Sequence, residues 1–99
     1  MRKITYRDAI REALQEEMRA DEKVIVFGED VADPFGGSFK VTKGLSTEFG
    51  TDRVRNTPIA EAVIAGAAVG AAIAGYRPVP EIMYMDFTGC CFDAIVNQA

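Results

Sequence analysis

Residues 62–75, read as Ala-Val-Ile-Ala-Gly-Ala-Ala-Val-Gly-Ala-Ala-Ile-Ala-Gly, contain no charged side chain, and the next charge after Glu61 is Arg77. A helix that is apolar on every side belongs in an interior. At about 14 residues the run falls short of the roughly 20 needed to span a bilayer, so it reads as a core helix. Gly66 and Gly70, set among alanines, are expected to let neighbouring backbones come close. Thr57-Pro58-Ile59-Ala60-Glu61 leads into this helix, and the residue before a proline is pushed away from the α region, so a strand ends there. Glu61 then opens the helix. A carboxylate in a first helical turn gains about 0.3–1 kcal/mol from the helix dipole when exposed. With so apolar a helix behind it, Glu61 is expected instead to face an interior cleft. A buried acid there needs a partner or keeps its proton.

The composition narrows the chemistry. The 99 residues carry a net charge of −4 and no histidine, which leaves no basic stripe for nucleic acid and no imidazole for acid–base or metal work. A chain of this length makes at most one small domain. Its last residues, 92–99, read as a helix in progress without a Gly, Asn or Pro stop signal, so a longer polypeptide is expected. Cys90-Cys91 fits neither a CxxC redox motif nor a zinc site and suggests reduced core thiols. Met1-Arg2-Lys3 is followed by no apolar stretch of the secretory kind, so the cytoplasm is the expected compartment, with no membrane contact.

Along the chain, Thr5-Tyr6-Arg7-Asp8 resembles a capping box, and Tyr6, Ile10, Ala13, Leu14 and Met18 follow at helical spacing up to Ala20-Asp21. Val24-Ile25-Val26-Phe27, stopped by Gly28, predicts a strand buried on both faces, as in a parallel sheet. Residues 31–43 form a long loop, of the kind that often carries function. A short helix over 42–49, a strand over 53–56, the Glu61 helix, a strand over 77–84 and a helix from Gly89 complete the order. The fold class expected is α/β, a mostly parallel sheet flanked by helices. In such sheets ligands sit beyond the carboxyl ends of the strands, where Glu29, Asp30, Glu61, Asp86 and Phe87 fall.

Gly28-Glu29-Asp30-Val31, Lys43-Gly44-Leu45, Asn56-Thr57-Pro58-Ile59-Ala60-Glu61, the Ala/Gly helix with Gly75-Tyr76-Arg77-Pro78, and Glu81-Ile82-Met83-Tyr84-Met85-Asp86-Phe87 occur in one order across nearly the whole chain. Together they resemble the beta subunit of thiamine-diphosphate-dependent 2-oxo acid dehydrogenases. The end, Asp86-Phe87-Thr88-Gly89-Cys90-Cys91-Phe92-Asp93, is most similar to acetoin dehydrogenase beta subunits, with pyruvate and branched-chain enzymes close behind. The resemblance implies that residues 1–99 are the amino-terminal part of a transketolase-like pyrimidine-binding domain. The rest of that domain and a carboxyl-terminal domain would lie beyond.

For single residues, the resemblance implies that Glu61 is the acid that hydrogen-bonds the N1′ nitrogen of the cofactor's aminopyrimidine and favours its 4′-imino tautomer. Phe87 matches the aromatic that packs on that ring, and Ile59 and Met83 match apolar positions around it. Read without the resemblance, the alternative for Phe87 is a core aromatic, and Ile59 and Met83 are equally ordinary core. Glu29 matches an acid near the pyrimidine, in an acidic passage between paired active sites. Its other reading is a solvated charge at a strand end. Glu81, inside an apolar strand, belongs to the same passage or anchors a neighbouring backbone.

The chain has no Gly-Asp-Gly motif of the kind relatives use to hold magnesium diphosphate. In the family that half lies on the alpha subunit. The resemblance thus implies thiamine diphosphate as cofactor, no metal ligands on this chain, an alpha partner in an α2β2 assembly, and docking to the acyltransferase core of a multienzyme complex. Two other readings compete: a nucleotide-binding α/β domain, for which GxGxxG and the P-loop are missing, and a non-catalytic interaction module.

Overall fold

A computed structural model describes residues 1–99. Helix α1 covers Tyr6–Ala20, strand β1 Val24–Gly28, helix α2 Leu45–Phe49, strand β2 Val54–Asn56, helix α3 Glu61–Ile73 and strand β3 Arg77–Glu81. A 3₁₀ segment, Met85–Cys91, and a π-helical turn, Ala94–Gln98, follow. The strands form one parallel sheet in the order β2-β1-β3. This is the α/β alternation that the sequence predicts.

The β1 side chains explain the layering. Val24 and Val26 point to one face and pack with Met18 of α1, Val31, Leu45 of α2 and Val54 of β2. Phe27 and Ile25 point to the other face, against Ile64 and Ala68 of α3. A central strand covered on both sides has no room for polar alternation, hence its continuous apolar run. Each fully buried Val, Leu, Ile or Met contributes about 1.5–3 kcal/mol. No helix is long and apolar enough to cross a membrane.

Long-range polar anchors hold the layers in place. The Arg53 guanidinium donates to the carbonyls of Met18, Asp21 and Val24, joining the end of α1 to the sheet. Asp33, in the loop after β1, accepts from Gly44 N–H at 2.7 Å and Thr47 N–H at 3.0 Å, at the start of α2. The hydroxyls of Ser46 and Thr47 also donate to it, at 2.9 and 2.7 Å. Burial pushes the Asp33 carboxyl up, but these donors win and hold it down at about 2, from an ordinary 3.8. Discounted for solvent screening at this partly exposed site, that difference is worth about 1 kcal/mol, present in full above the ordinary value and lost as pH falls toward 2. Asp33→Asn is therefore expected to lose about 1 kcal/mol in urea unfolding at pH 7. Its deficit relative to the wild type should narrow steadily below pH 4. A deficit that does not change with pH would show that charge plays no part.

Several local expectations need correction. Thr5 does cap α1, its hydroxyl accepting from Asp8 N–H at 3.1 Å, but the Asp8 carboxylate turns to Arg7 and Arg11. Only half of the capping box forms. The third strand stops at Glu81 rather than continuing to 84, and in place of a regular helix from Gly89 the chain makes 3₁₀ and π turns. Cys91 is buried but Cys90 is exposed, so only one thiol lies in the core.

The largest correction concerns α3. Ile64, Ala65 and Ala68 are buried, whereas Val63 is 65% exposed and Ile73 82% exposed. A Cβ added at Gly66 or Gly70 would meet nothing within 4 Å, so no backbone approaches them here. The helix is covered on one face only, because the sheet and the segment after β3 reach no further round it.

At the outer edge of the sheet, Arg77 N–H donates to Lys23 carbonyl at 2.9 Å, so Arg77, Val79 and Glu81 turn their backbone groups toward β1. Pro78 and Pro80 take the outward-facing positions, where a proline removes no ladder bond.

Candidate functional site

Three acids gather at the carboxyl edge of the sheet, each supplied by a different strand. Glu29 directly follows β1, Glu61 follows β2 through the turn at residues 57–60, and Glu81 ends β3. The edge is tightly built. Thr57 N–H donates to Gly28 carbonyl at 2.8 Å, and Asn56 accepts from Ala32 N–H at 2.9 Å. Gly28 pairs in register with Glu81 so closely that an added Cβ would lie 2.7 Å from the Glu81 carbonyl oxygen and 2.9 Å from its Cβ.

Burial is distributed differently from the expectation. Glu29 is the interior acid, 7% exposed, while Glu61 is only partly buried in the first turn of α3. The solvated-charge reading of Glu29 is excluded. Ala60, at the start of α3, offers no side-chain cap to the first N–H groups. Burial raises the Glu29 carboxyl above its ordinary range, and the neighbouring Glu61 and Asp30 charges add to this. Burial likewise raises Glu81, with the Glu29 and Asp30 charges as further causes. Glu29 Oε1 and Glu81 Oε2 are buried without a hydrogen-bond partner. Such orphaned oxygens cost free energy unless they hold a proton or meet a donor. The three acids do not form a group that could hold a metal ion.

The apolar residues of the expected site lie on loops beyond the same strand ends. Ile59 sits in the turn before Glu61 and is 83% exposed; Phe87 lies in the 3₁₀ segment after β3 and is 46% exposed. Met83 is half-buried between β3 and that segment, which packs against α3. None of the three belongs to a core cluster, so the ordinary-core reading fails for Phe87 and Ile59 in this chain. Asp30 and Asp86 are exposed at the rim. Two features of this edge gave no sign in the sequence: the Asp33 anchor and a contact between Ser38 and Tyr84 hydroxyls at 2.6 Å. Their partners stand 11 to 46 residues away, beyond the reach of any local pattern.

An open parallel sheet with helices on both faces defines an α/β domain, a class in which ligands sit beyond the carboxyl ends of the strands, where this chain gathers its acids and exposed apolar side chains. Comparison with known proteins gives the family: residues 2–99 match the transketolase pyrimidine binding domain, and the chain belongs to that family. It is 54% identical over 96 residues to the pyruvate dehydrogenase E1 component subunit beta of Rickettsia felis, covering 97% of this chain and 29% of the relative. It is 48% identical over 108 aligned residues to the acetoin:2,6-dichlorophenolindophenol oxidoreductase subunit beta of Bacillus subtilis, covering 98% of this chain and 32% of the relative. The mitochondrial pyruvate dehydrogenase E1 component subunit beta of Dictyostelium discoideum is 48% identical over 98 residues, covering 99% and 27%. The chain thus spans under a third of the length of these relatives.

Proposed function

We propose that this chain is the aminopyrimidine-binding part of the beta subunit of a thiamine-diphosphate-dependent dehydrogenase component, acting on acetoin or on a 2-oxo acid such as pyruvate or a branched-chain acid. The observation that carries this reading is the carboxyl edge itself: the buried Glu29 and the partly buried Glu81, each with one buried oxygen that has no partner, beside the partly buried Glu61 and an exposed aromatic. Those residues suit an aminopyrimidine, a flat ring with polar nitrogens on its edge and an apolar face. When bound, the cofactor supplies an electron sink for cleaving a bond beside a carbonyl.

In this reading Glu61 holds and exchanges a proton with the ring nitrogen. Glu29 lies behind it, pushed by burial and by the Glu61 charge toward its protonated form. In its protonated form Glu29 has an O–H to donate, which would stabilise the carboxylate form of a neighbouring acid. Phe87 packs on the ring face, worth about 0.5–1.5 kcal/mol beyond area burial. Ile59 and Met83 wall its sides and keep water from the proton. Magnesium and the diphosphate fall to an alpha partner in an α2β2 assembly, which docks in turn on an acyltransferase core in the cytoplasm. Residues 1–99 then form the amino-terminal part of the pyrimidine-binding domain.

The test is cofactor binding by the full-length polypeptide assembled with an alpha partner. Titration with thiamine diphosphate and magnesium should show saturable binding that neither polypeptide gives alone. Absence of binding by the mixture would overturn the reading.

A further inference from the structure

The loop between β1 and α2 is held by bonds of its own. Gly37 N–H donates to Asp30 carbonyl at 2.7 Å, Lys40 N–H to Gly37 carbonyl at 3.1 Å, and Thr42 N–H to Gly36 carbonyl at 3.1 Å. The buried Thr42 hydroxyl donates to Val31 carbonyl at 2.7 Å. Asp33 fastens the loop to α2, and the Arg11 guanidinium of α1 donates to the carbonyls of Lys40 and Val41. Its tip then lies against β3. A Cβ added at Gly37 would stand 3.8 Å from Glu81 Oε1, which places the loop backbone against that carboxyl.

On this side the fastening is Ser38 to Tyr84. Their hydroxyl oxygens are 2.6 Å apart, and the Tyr84 ring meets Phe39 with centroids 5.7 Å apart and planes tilted by 58°. Phe39 is 69% exposed and Tyr84 43% exposed, so this contact is not explained by burial in a core. Tyr84 stands between Met83 and the 3₁₀ segment that carries Phe87.

We propose that Tyr84 is a positioning residue: with Ser38 and Phe39 it clasps the loop after β1 onto the strand end of β3 and keeps water off the Glu81 carboxyl. The same clasp fixes the stretch between Met83 and Phe87 against a loop that is itself anchored on two helices. The clasp rests on the geometry alone. Its bearing on the cofactor rests on the reading of the previous section.

Tyr84→Phe keeps the ring and removes the hydroxyl; Ser38→Ala removes the other partner, and Ser38→Thr retains it. Hydrogen exchange of the Gly37, Lys40 and Thr42 amides, in the full-length assembled protein, should accelerate about 5-fold in Tyr84→Phe, the equivalent of one net hydrogen bond. Ser38→Ala should do the same, the double variant no more, and Ser38→Thr should restore the wild-type rate.

A second readout separates a positioning role from a merely structural one. Glu81 faces the Glu29 and Asp30 charges, and burial raises its carboxyl, so ionising it at pH 8 costs stability that is absent at low pH. Glu81→Gln should raise the melting temperature at pH 8 more than at pH 4. In the Tyr84→Phe background that gain should shrink by about half, because water then reaches the carboxylate. Unchanged exchange in Tyr84→Phe, or a Glu81→Gln gain indifferent to it, overturns the proposal. Neither readout needs cofactor, so failure to bind thiamine diphosphate would count against the proposed function and not against the clasp.

Discussion

On the proposed function, replacing Glu61 by glutamine in the full-length protein assembled with an alpha partner is expected to lower turnover by about 10²–10⁴-fold, the range over which a placed acid–base group acts. Glutamine keeps the shape and the hydrogen-bonding reach of glutamate but cannot take up or release the proton. The fold should tolerate the change. Glu61 is only partly buried, makes no salt bridge, and occupies a first helical turn that its charge stabilises by no more than about 1 kcal/mol. Unfolding midpoints of the two proteins should therefore agree closely while their kcat values diverge. Turnover within about twofold of wild type would remove Glu61 from the chemistry. The comparison with Glu29→Gln is informative: in the proposed reading Glu29 lies behind Glu61 and does not itself exchange the ring proton, so the smaller loss of activity should fall there.

Gly28→Ala is expected to place a damaging methyl at the carboxyl edge of the sheet. The new Cβ would stand 2.7 Å from the Glu81 carbonyl oxygen and 2.9 Å from Glu81 Cβ, both in the adjoining strand. Backbone cannot swing aside as a side chain can. Forcing β1 and β3 apart at this point costs about 1–3 kcal/mol, the usual range for overpacking. Because the displaced residue is Glu81 and the next one after Gly28 is Glu29, loss of stability and loss of cofactor affinity should appear together. Gly44→Ala makes a useful contrast. An added Cβ there meets no atom within 4 Å, but φ is +90°, so only backbone strain is felt and the acids stay in place. If Gly28→Ala unfolds no more easily than Gly44→Ala, the close approach of the strands is not what holds this edge.

What the sequence made legible was whatever rests on neighbours in the chain. The apolar run 24–27 announced a central parallel strand, and Thr57-Pro58 followed by Glu61 announced where β2 ends and α3 starts. Glu29 and Glu61 at strand ends followed from the topology, whereas Glu81, expected inside β3, ends that strand. Burial was harder to read, since hydropathy treats alanine and glycine as interior residues although exposing them costs very little. That is why α3 read as buried all round when only Ile64, Ala65 and Ala68 are. It is also why the buried acid proved to be Glu29, set by the strand crowding against it, rather than Glu61. Asp33 reads as a loop acid before a proline. Its role exists only because the loop folds back on the start of α2, and no spacing in the sequence encodes that return.

The two prolines of β3 have a consequence for a chain still being synthesised. The free edge of this strand offers the carbonyls of Pro78 and Pro80 but not a single N–H at those positions, so it accepts and cannot donate. Two nascent copies meeting along that edge would set oxygen against oxygen. The edge stays receptive to a strand of the right polarity while refusing its own likeness.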